Sequence, residues 1–262
     1  MGAILELQGV SMSFGGLKAV DNLAFDVQEN EIVSIIGPNG SGKTTTFNVI
    51  SGLYEPDSGD ILLKGESVAG LRPDQVHDRG ISRTFQSLRL FSNMSVLDNV
   101  LVGMHSVTDA GVVASMLRLP KVRREEAAMR AKAQEILAMF PGRFSGPRQQ
   151  QPAFSLSYAN RRRLEIARAL ASEPALLLLD EPVAGMNPME SREVMEQIKI
   201  LRDRGYTILM IEHDMHVVEG VSDRVIAMDH GVKIAEGSYT EVAEDPQVVE
   251  AYLGKRAAEA TA

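Results

Sequence analysis

The chain has no cysteine, which excludes disulfides, thiolate metal sites and a cysteine nucleophile and fits a reducing compartment. It also lacks an excess of positive charge. Against 35 Asp and Glu stand 27 Lys and Arg, a formal net charge of -8, the wrong sign for displacing counterions from nucleic acid. No nucleic-acid partner is expected. Long apolar runs are missing as well: stretches such as Ala175 to Leu179 fall far short of the roughly 20 residues that span a bilayer. The opening MGAILELQGV has no basic segment followed by an apolar one of signal-peptide length. These absences predict a soluble, cytoplasmic chain that relies on other chains for any membrane-spanning part. No internal repeat and no sustained heptad pattern is present. What is there is ordinary globular material, 262 residues with 44% hydrophobic and 24% charged, enough for one large domain or two closely joined lobes.

The order of patterns places an α/β core around an insert. Ile4, Leu5 and Leu7, then Val10, Met12 and Phe14, then Leu23, Phe25 and Val27 alternate between turn residues and predict short half-buried strands. The β-branched run Ile32 to Ile36 ends in Gly37-Pro38-Asn39-Gly40, where a loop must begin, and from Thr44 the spacing of Phe47, Ile50 and Leu53 is helical. Residues 58–70 read as a further hairpin. From about residue 87 the pattern turns helical, with Met129, Ala133, Ile136 or Leu137, and Phe140 on one face. The Pro-, Gly- and Gln-rich stretch 141–152 predicts an exposed connector. Asn160 to Ala171 predicts a helix with Leu164, Ala167 and Ala171 inward. Ala175 to Leu179 and Thr207 to Ile211 are apolar throughout and predict strands buried on both faces of a parallel sheet, joined by a helix over about 189–204. Residues 255–262 read as a frayed tail.

The chemistry sits at the ends of those strands. Gly37-Pro38-Asn39-Gly40-Ser41-Gly42-Lys43-Thr44 satisfies G-x-x-x-x-G-K-[ST] between a strand and a helix. In such a loop the backbone N–H groups surround phosphate oxygens, Lys43 reaches the β/γ-phosphates and the Thr44 hydroxyl ligates Mg²⁺. Asp180-Glu181 ends a buried strand beside that loop, where Asp180 could hold Mg²⁺ through water and Glu181 could act as general base on the attacking water. His213 follows the next strand and could reach the γ-phosphate.

Together with Arg83-Thr84-Phe85-Gln86, Leu156-Ser157-Tyr158-Ala159-Asn160, Asp180-Glu181-Pro182, Ala184-Gly185-Met186-Asn187-Pro188 and Glu212-His213-Asp214, these motifs follow the order and spacing of an ABC-transporter ATPase subunit. The resemblance covers roughly residues 4 to 254. It extends to the ATPases of importers for branched-chain and other hydrophobic amino acids through Phe14-Gly15-Gly16-Leu17, Arg162-Arg163-Leu164-Glu165-Ile166-Ala167-Arg168 and the terminal Ala251-Tyr252-Leu253-Gly254. Lipopolysaccharide-exporting and urea-importing ATPases share several of these pieces, and a soluble ABC ATPase is a further alternative.

The resemblance implies a P-loop NTPase core of mainly parallel sheet, with an N-terminal antiparallel β subdomain and an inserted helical subdomain. One ABC ATPase domain would cover residues 1–254, with core and β subdomain in 1–86 and 161–235, the helical and signature part in 87–160 and a C-terminal helical segment in 236–254. It implies ATP and Mg²⁺ as ligands. Phe14 would stack on adenine with Val20 nearby; Asn39, Gly40, Ser41, Gly42, Lys43, Thr44 and Thr45 would hold phosphates; Gln86 would join Thr44 and Asp180 in the Mg²⁺ shell; Glu181, His213 and Lys43 would be catalytic. Ser157, Tyr158, Ala159 and Asn160 would form a second anion site, completing the one on a second ABC ATPase subunit, a different chain or a second copy. The remaining implied partners are two membrane-spanning permeases and, indirectly, an external substrate-binding protein, with this chain on the cytoplasmic face of the membrane. Ala159 departs from the family, which has glycine there. A left-handed backbone at 159 would set its methyl group against the partner's phosphate, whereas ordinary helical angles would reverse the expected effect of Ala159→Gly.

Overall fold

The computed structural model describes residues 2–104 and 120–253; the predicted tail lies outside them. Two sheets are stacked. In the first, β1 (Ala3–Phe14) pairs antiparallel with β2 (Leu17–Gln28) and β4 (Ser58–Leu63), and β5 (Glu66–Ser67) extends it in the order β2-β1-β4-β5. Several short strands were expected here, yet the chain forms two strands of 12 residues. The polar interruptions are absorbed as register shifts between Leu7 and Val10 and between Val10 and Met12, where Gly9 takes φ 63.

The second sheet has the order β10-β9-β3-β8-β7-β6. Its members are β3 (Ile32–Ile36), β6 (Ile81–Arg83), β7 (Leu176–Asp180), β8 (Thr207–Ile211), β9 (Arg224–Asp229) and β10 (Val232–Gly237). All its pairs are parallel except the edge strand β10, which runs antiparallel to β9 and continues to Gly237, two residues beyond the boundary expected for the core. Alternate residues of the central strands feed two different cores, as a sheet covered on both sides requires. Val33, Ile35, Leu176, Leu178, Leu209 and Ile211 pack with the antiparallel sheet. Ile32, Leu177, Leu179, Ile208 and Met210 pack with the helices on the other face.

Helix α1 (Lys43–Ile50) follows β3 and stops at Ile50, so Leu53, expected on its inner face, lies past its end and is half exposed. A short α2 (Pro73–Asp78) precedes β6. On the far face lie α3 (Val96–Gly103), α4 (Pro120–Ala138), α5 (Tyr158–Leu170) and α6 (Pro188–Asp203). Ala133, Ile136, Leu137 and Phe140 are buried there, with Met129 packed at the margin. The stretch 141–152 is less free than expected. Phe144 is buried edge-on against Phe140 with centroids 5.9 Å apart, and the Val96 amide donates to the Gln151 carbonyl at 3.1 Å. An aromatic ring in a Pro- and Gly-rich stretch found apolar cover, which fastens the connector to the start of α3. The chain ends with α7 (Met215–Val221), α8 (Tyr239–Ala243) and α9 (Pro246–Leu253).

Candidate functional site

The site grows from the end of β3. Gly37 has φ 149, and a Cβ there would lie 2.1 Å from the Met228 carbonyl oxygen; at Gly42, with φ 101, it would lie 2.3 Å from that of Ala19. No other residue fits either place, so the loop wraps close to β9 and β2 and opens directly into α1. The helix N-terminus leaves its first N–H groups without intrahelical partners. Lys43 is buried, and its Nζ donates to the carbonyls of Gly37 at 2.7 Å and Pro38 at 2.9 Å. Burial lowers the Lys43 pKa, and the negative charge of Glu181 opposes that shift. The loop is tied down by the Gly231 amide, which donates to Ser41 O at 3.0 Å, while Asp21 N donates to Gly231 O at 2.9 Å.

Over the loop lies a cleft of about 720 Å³. Phe14, Lys18, Ala19, the segment from Asn39 through Gly40, Ser41, Gly42, Lys43 and Thr44 to Thr45, Gln86, Glu181 and His230 border it. Phe14 is half exposed and meets Tyr54 edge-on at 5.3 Å between centroids. Val20 does not belong to it. Its side chain is fully buried in the core shared by the two sheets, and Ala19 and Lys18 take the cleft side of β2 instead. The register shift from Met12↔Val20 to Ser13↔Lys18 inserts Ala19 as an extra residue in β2, so Lys18 and Ala19 both border the cleft while Val20 turns into the core.

The tips of β7 and β8 carry acidic groups at the end of this cleft, and of these Glu181 lines it. Asp180 is buried, its carboxylate held by Arg83 Nη2 at 3.0 Å and its amide donating to Thr84 Oγ1 at 3.3 Å. Arg83 also donates to Asn48 Oδ1 at 2.8 Å and Ser51 Oγ at 3.0 Å; burial lowers its pKa, and the Asp180 carboxylate works against that. Glu181 has φ 47, a left-handed angle costly for a residue with a side chain. Its amide donates to Ile211 O at 3.0 Å, which holds the turn at the sheet edge. Gln86 Nε2 donates to Glu181 Oε2 at 3.3 Å, and His213 Nδ1 stands 3.6 Å from the other oxygen. Three chain segments thus converge on one carboxylate.

Glu212, between Ile211 and His213, is fully buried and accepts from the amides of His213 at 2.9 Å, Asp214 at 3.2 Å and Val183 at 3.4 Å. Burial pushes its carboxyl pKa up, and those amides pull the other way. Neither Arg83 nor Glu212 was predicted as a site residue, although both belong to motifs that were read. A charged side chain buried at a loop root gives no periodic signal. Only its place beside Gln86 or His213 could have pointed to it.

At the start of α5, Ser157 is the N-cap and its Oγ accepts from Asn160 N at 3.4 Å. Tyr158 is half exposed, and Asn160 Oδ1 accepts from Arg163 Nη1 at 3.0 Å. These residues are not among those lining the cleft. Ala159 lies within the helix, outside the positive-φ residues, and is 2% exposed. Its methyl group points into the protein, which removes the expected crowding of a partner's phosphate.

A sequence profile of the ABC transporter family matches residues 20–184. The chain belongs to the ABC transporter family. A second profile, that of the branched-chain amino acid ATP-binding cassette transporter, matches residues 232–258 of this ABC cassette. It is 42% identical over 253 residues to the high-affinity branched-chain amino acid transport ATP-binding protein LivG of Salmonella typhimurium, covering 96% of this chain and 98% of that one. Among solved structures it resembles the ADP conformation of MJ1267, an ATP-binding cassette of an ABC transporter, with TM-score 0.83, 32% identity and coverage of 97% and 100%. It also resembles the dimeric post-hydrolysis state of the cassette MJ0796 bound to ADP and Pi, with TM-score 0.73, 26% identity and coverage of 90% and 98%. As an ABC ATPase the chain binds and hydrolyses ATP.

Proposed function

We propose that this ABC ATPase powers import of branched-chain or related amino acids, docked on two permeases at the cytoplasmic face of the membrane and fed by an external binding protein. The match of its C-terminal segment to the branched-chain cassette profile supports the cargo. Among the described residues no helix is long and apolar enough to cross a membrane, and the permeases would supply the path for the cargo. The dimeric relative bound to ADP and Pi supports a second ATPase subunit as partner. In that pairing the N-terminus of α5, with Ser157, Tyr158, Ala159 and Asn160, would offer backbone N–H groups to the nucleotide held by the other subunit.

The observation that carries the chemistry is Glu181, held in a left-handed turn between Gln86 and His213. A water below the γ-phosphate would lose its proton to the Glu181 carboxylate, while Gln86 and His213 keep that carboxylate aimed. Lys43 would leave the loop carbonyls for the β/γ-phosphates, where its positive charge opposes the negative charge of the transition state. Phe14 would supply a ring face for the base without selecting it. The donor set fits Mg²⁺: a hydroxyl, an amide oxygen and a carboxylate are hard oxygen donors, and this ion is commonly held by one or two protein oxygens with phosphates and waters. Thr44, Gln86 and Asp180 would hold it, and it would neutralise phosphate charge. The described elements support one ABC domain whose helical part, α3 to the start of α5, is inserted between β6 and β7.

The test is uptake of labelled leucine in cells lacking their own importer ATPase. The wild-type chain, expressed with its permeases, should restore uptake, and Glu181→Gln should not, although it still binds ATP. Wild-type failure to restore uptake of any branched-chain amino acid would overturn the cargo. Hydrolysis by Glu181→Gln at the wild-type rate would overturn the base.

A further inference from the structure

The segment from Arg83 to Arg89 carries the chain from the core to the helices, and its hydrogen bonds change sides within one residue. Thr84 N donates to Leu178 O at 2.9 Å and Thr84 Oγ1 accepts from the Asp180 amide, so Thr84 belongs to β7. From Phe85 to Arg89 the backbone finds its partners on α5. Arg162 Nη1 donates to Phe85 O at 2.5 Å and Arg162 Nη2 to Gln86 O at 2.8 Å. Glu165, one turn along, accepts from Arg89 N at 3.3 Å and from Arg162 Nη1 at 2.9 Å. Both side chains are buried, Arg162 fully. Burial pushes the Glu165 carboxyl pKa up, with Arg162 opposing.

Taking a guanidinium and a carboxylate out of water is expensive, and apolar residues of similar size often stabilise as well or better. A buried fork that bridges two successive carbonyls therefore points to a demand for position. Those carbonyls belong to the residue that donates to Glu181 and the one before it.

We propose that Arg162 is a positioning residue: it fastens the backbone of Phe85 and Gln86 to α5, so that the Gln86 amide is held against Glu181. Arg162 acts only through Gln86. The proposal rests on the reading of Gln86 and Glu181 as parts of the hydrolytic site.

The test is a double-mutant cycle on the full chain, following kcat and KM for ATP. Lysine at 162 keeps a charge for Glu165 but has no planar fork for two carbonyls. Arg162→Lys should lower kcat by about fivefold or more, leave KM within about twofold, and have no further effect on kcat when Gln86 is already alanine. Should Arg162→Lys fail to fold, the pair Arg162→Gln with Glu165→Gln removes both buried charges and carries the same comparison. An unchanged kcat in a folded variant overturns the proposal, as does the same fold-loss in the Gln86→Ala background. If Gln86→Ala alone hydrolyses at the wild-type rate, the reading of the site fails first and the proposal falls with it. A slow Gln86→Ala whose losses multiply with those at 162 overturns the proposal alone.

Discussion

Lys43 shows how much a single residue can carry before any ligand arrives. Its ammonium is capped by two loop carbonyls, and on the proposed function nucleotide binding would exchange those acceptors for phosphate oxygens. Lys43→Ala should cut hydrolysis by about a hundredfold or more, the scale of losing one charge-stabilising donor, and phosphate release under saturating ATP measures it. The loop was legible in the sequence because its chemistry is contiguous: glycines, lysine and threonine in register need no distant partner to be recognised. The resemblance set Val20 beside Phe14, but a register shift that no local pattern announces turns it into the core and leaves Lys18 and Ala19 on the cleft. Glu212 and Arg162 were not legible for a different reason. A buried charge is kept by partners that the fold supplies, here the amides around 183 and 213 and the carbonyls at 85 and 86.

Among the elements, β7 and β8 could be read because strands buried on both faces are apolar throughout. β9 could not, since Arg224 opens it. That arginine is balanced by Glu31 at 2.8 Å, by Glu236 on the next strand and by the carbonyl and carboxylate of Asp26, and the ring of acceptors raises its pKa. At α5 the sequence left the sign of a substitution open and the helix decides it. Ala159 occupies the first turn behind the Ser157 cap, with its methyl group buried. Ala159→Gly should therefore weaken that turn by roughly 0.5–1 kcal/mol. The urea midpoint of the variant should fall, and the ATP concentration for half-maximal pairing with its partner subunit should rise. A lower concentration would mean that the methyl group obstructs closure after all.

The whole molecule places one complete phosphate loop and one exposed helix N-terminus on the same chain, apart from each other, which is the arrangement of half a paired site. If Glu181 removes the proton that drives hydrolysis, Glu181→Gln should trap the paired state. Gel filtration in ATP should then show a species of twice the mass, with the authentic partner present if the pair is mixed, where the wild type returns to single chains as its ATP is consumed. The six-stranded sheet also sets when the phosphate loop receives its last brace. Ser41 is fixed by the amide of Gly231, and Gly231 in turn by Asp21, so a loop made early is finished by a turn made late. At ~5–20 residues per second, a ribosome needs about ten to forty seconds to travel from one to the other. Until that turn is translated, a nascent chain carries its nucleotide motif without this brace of the pocket.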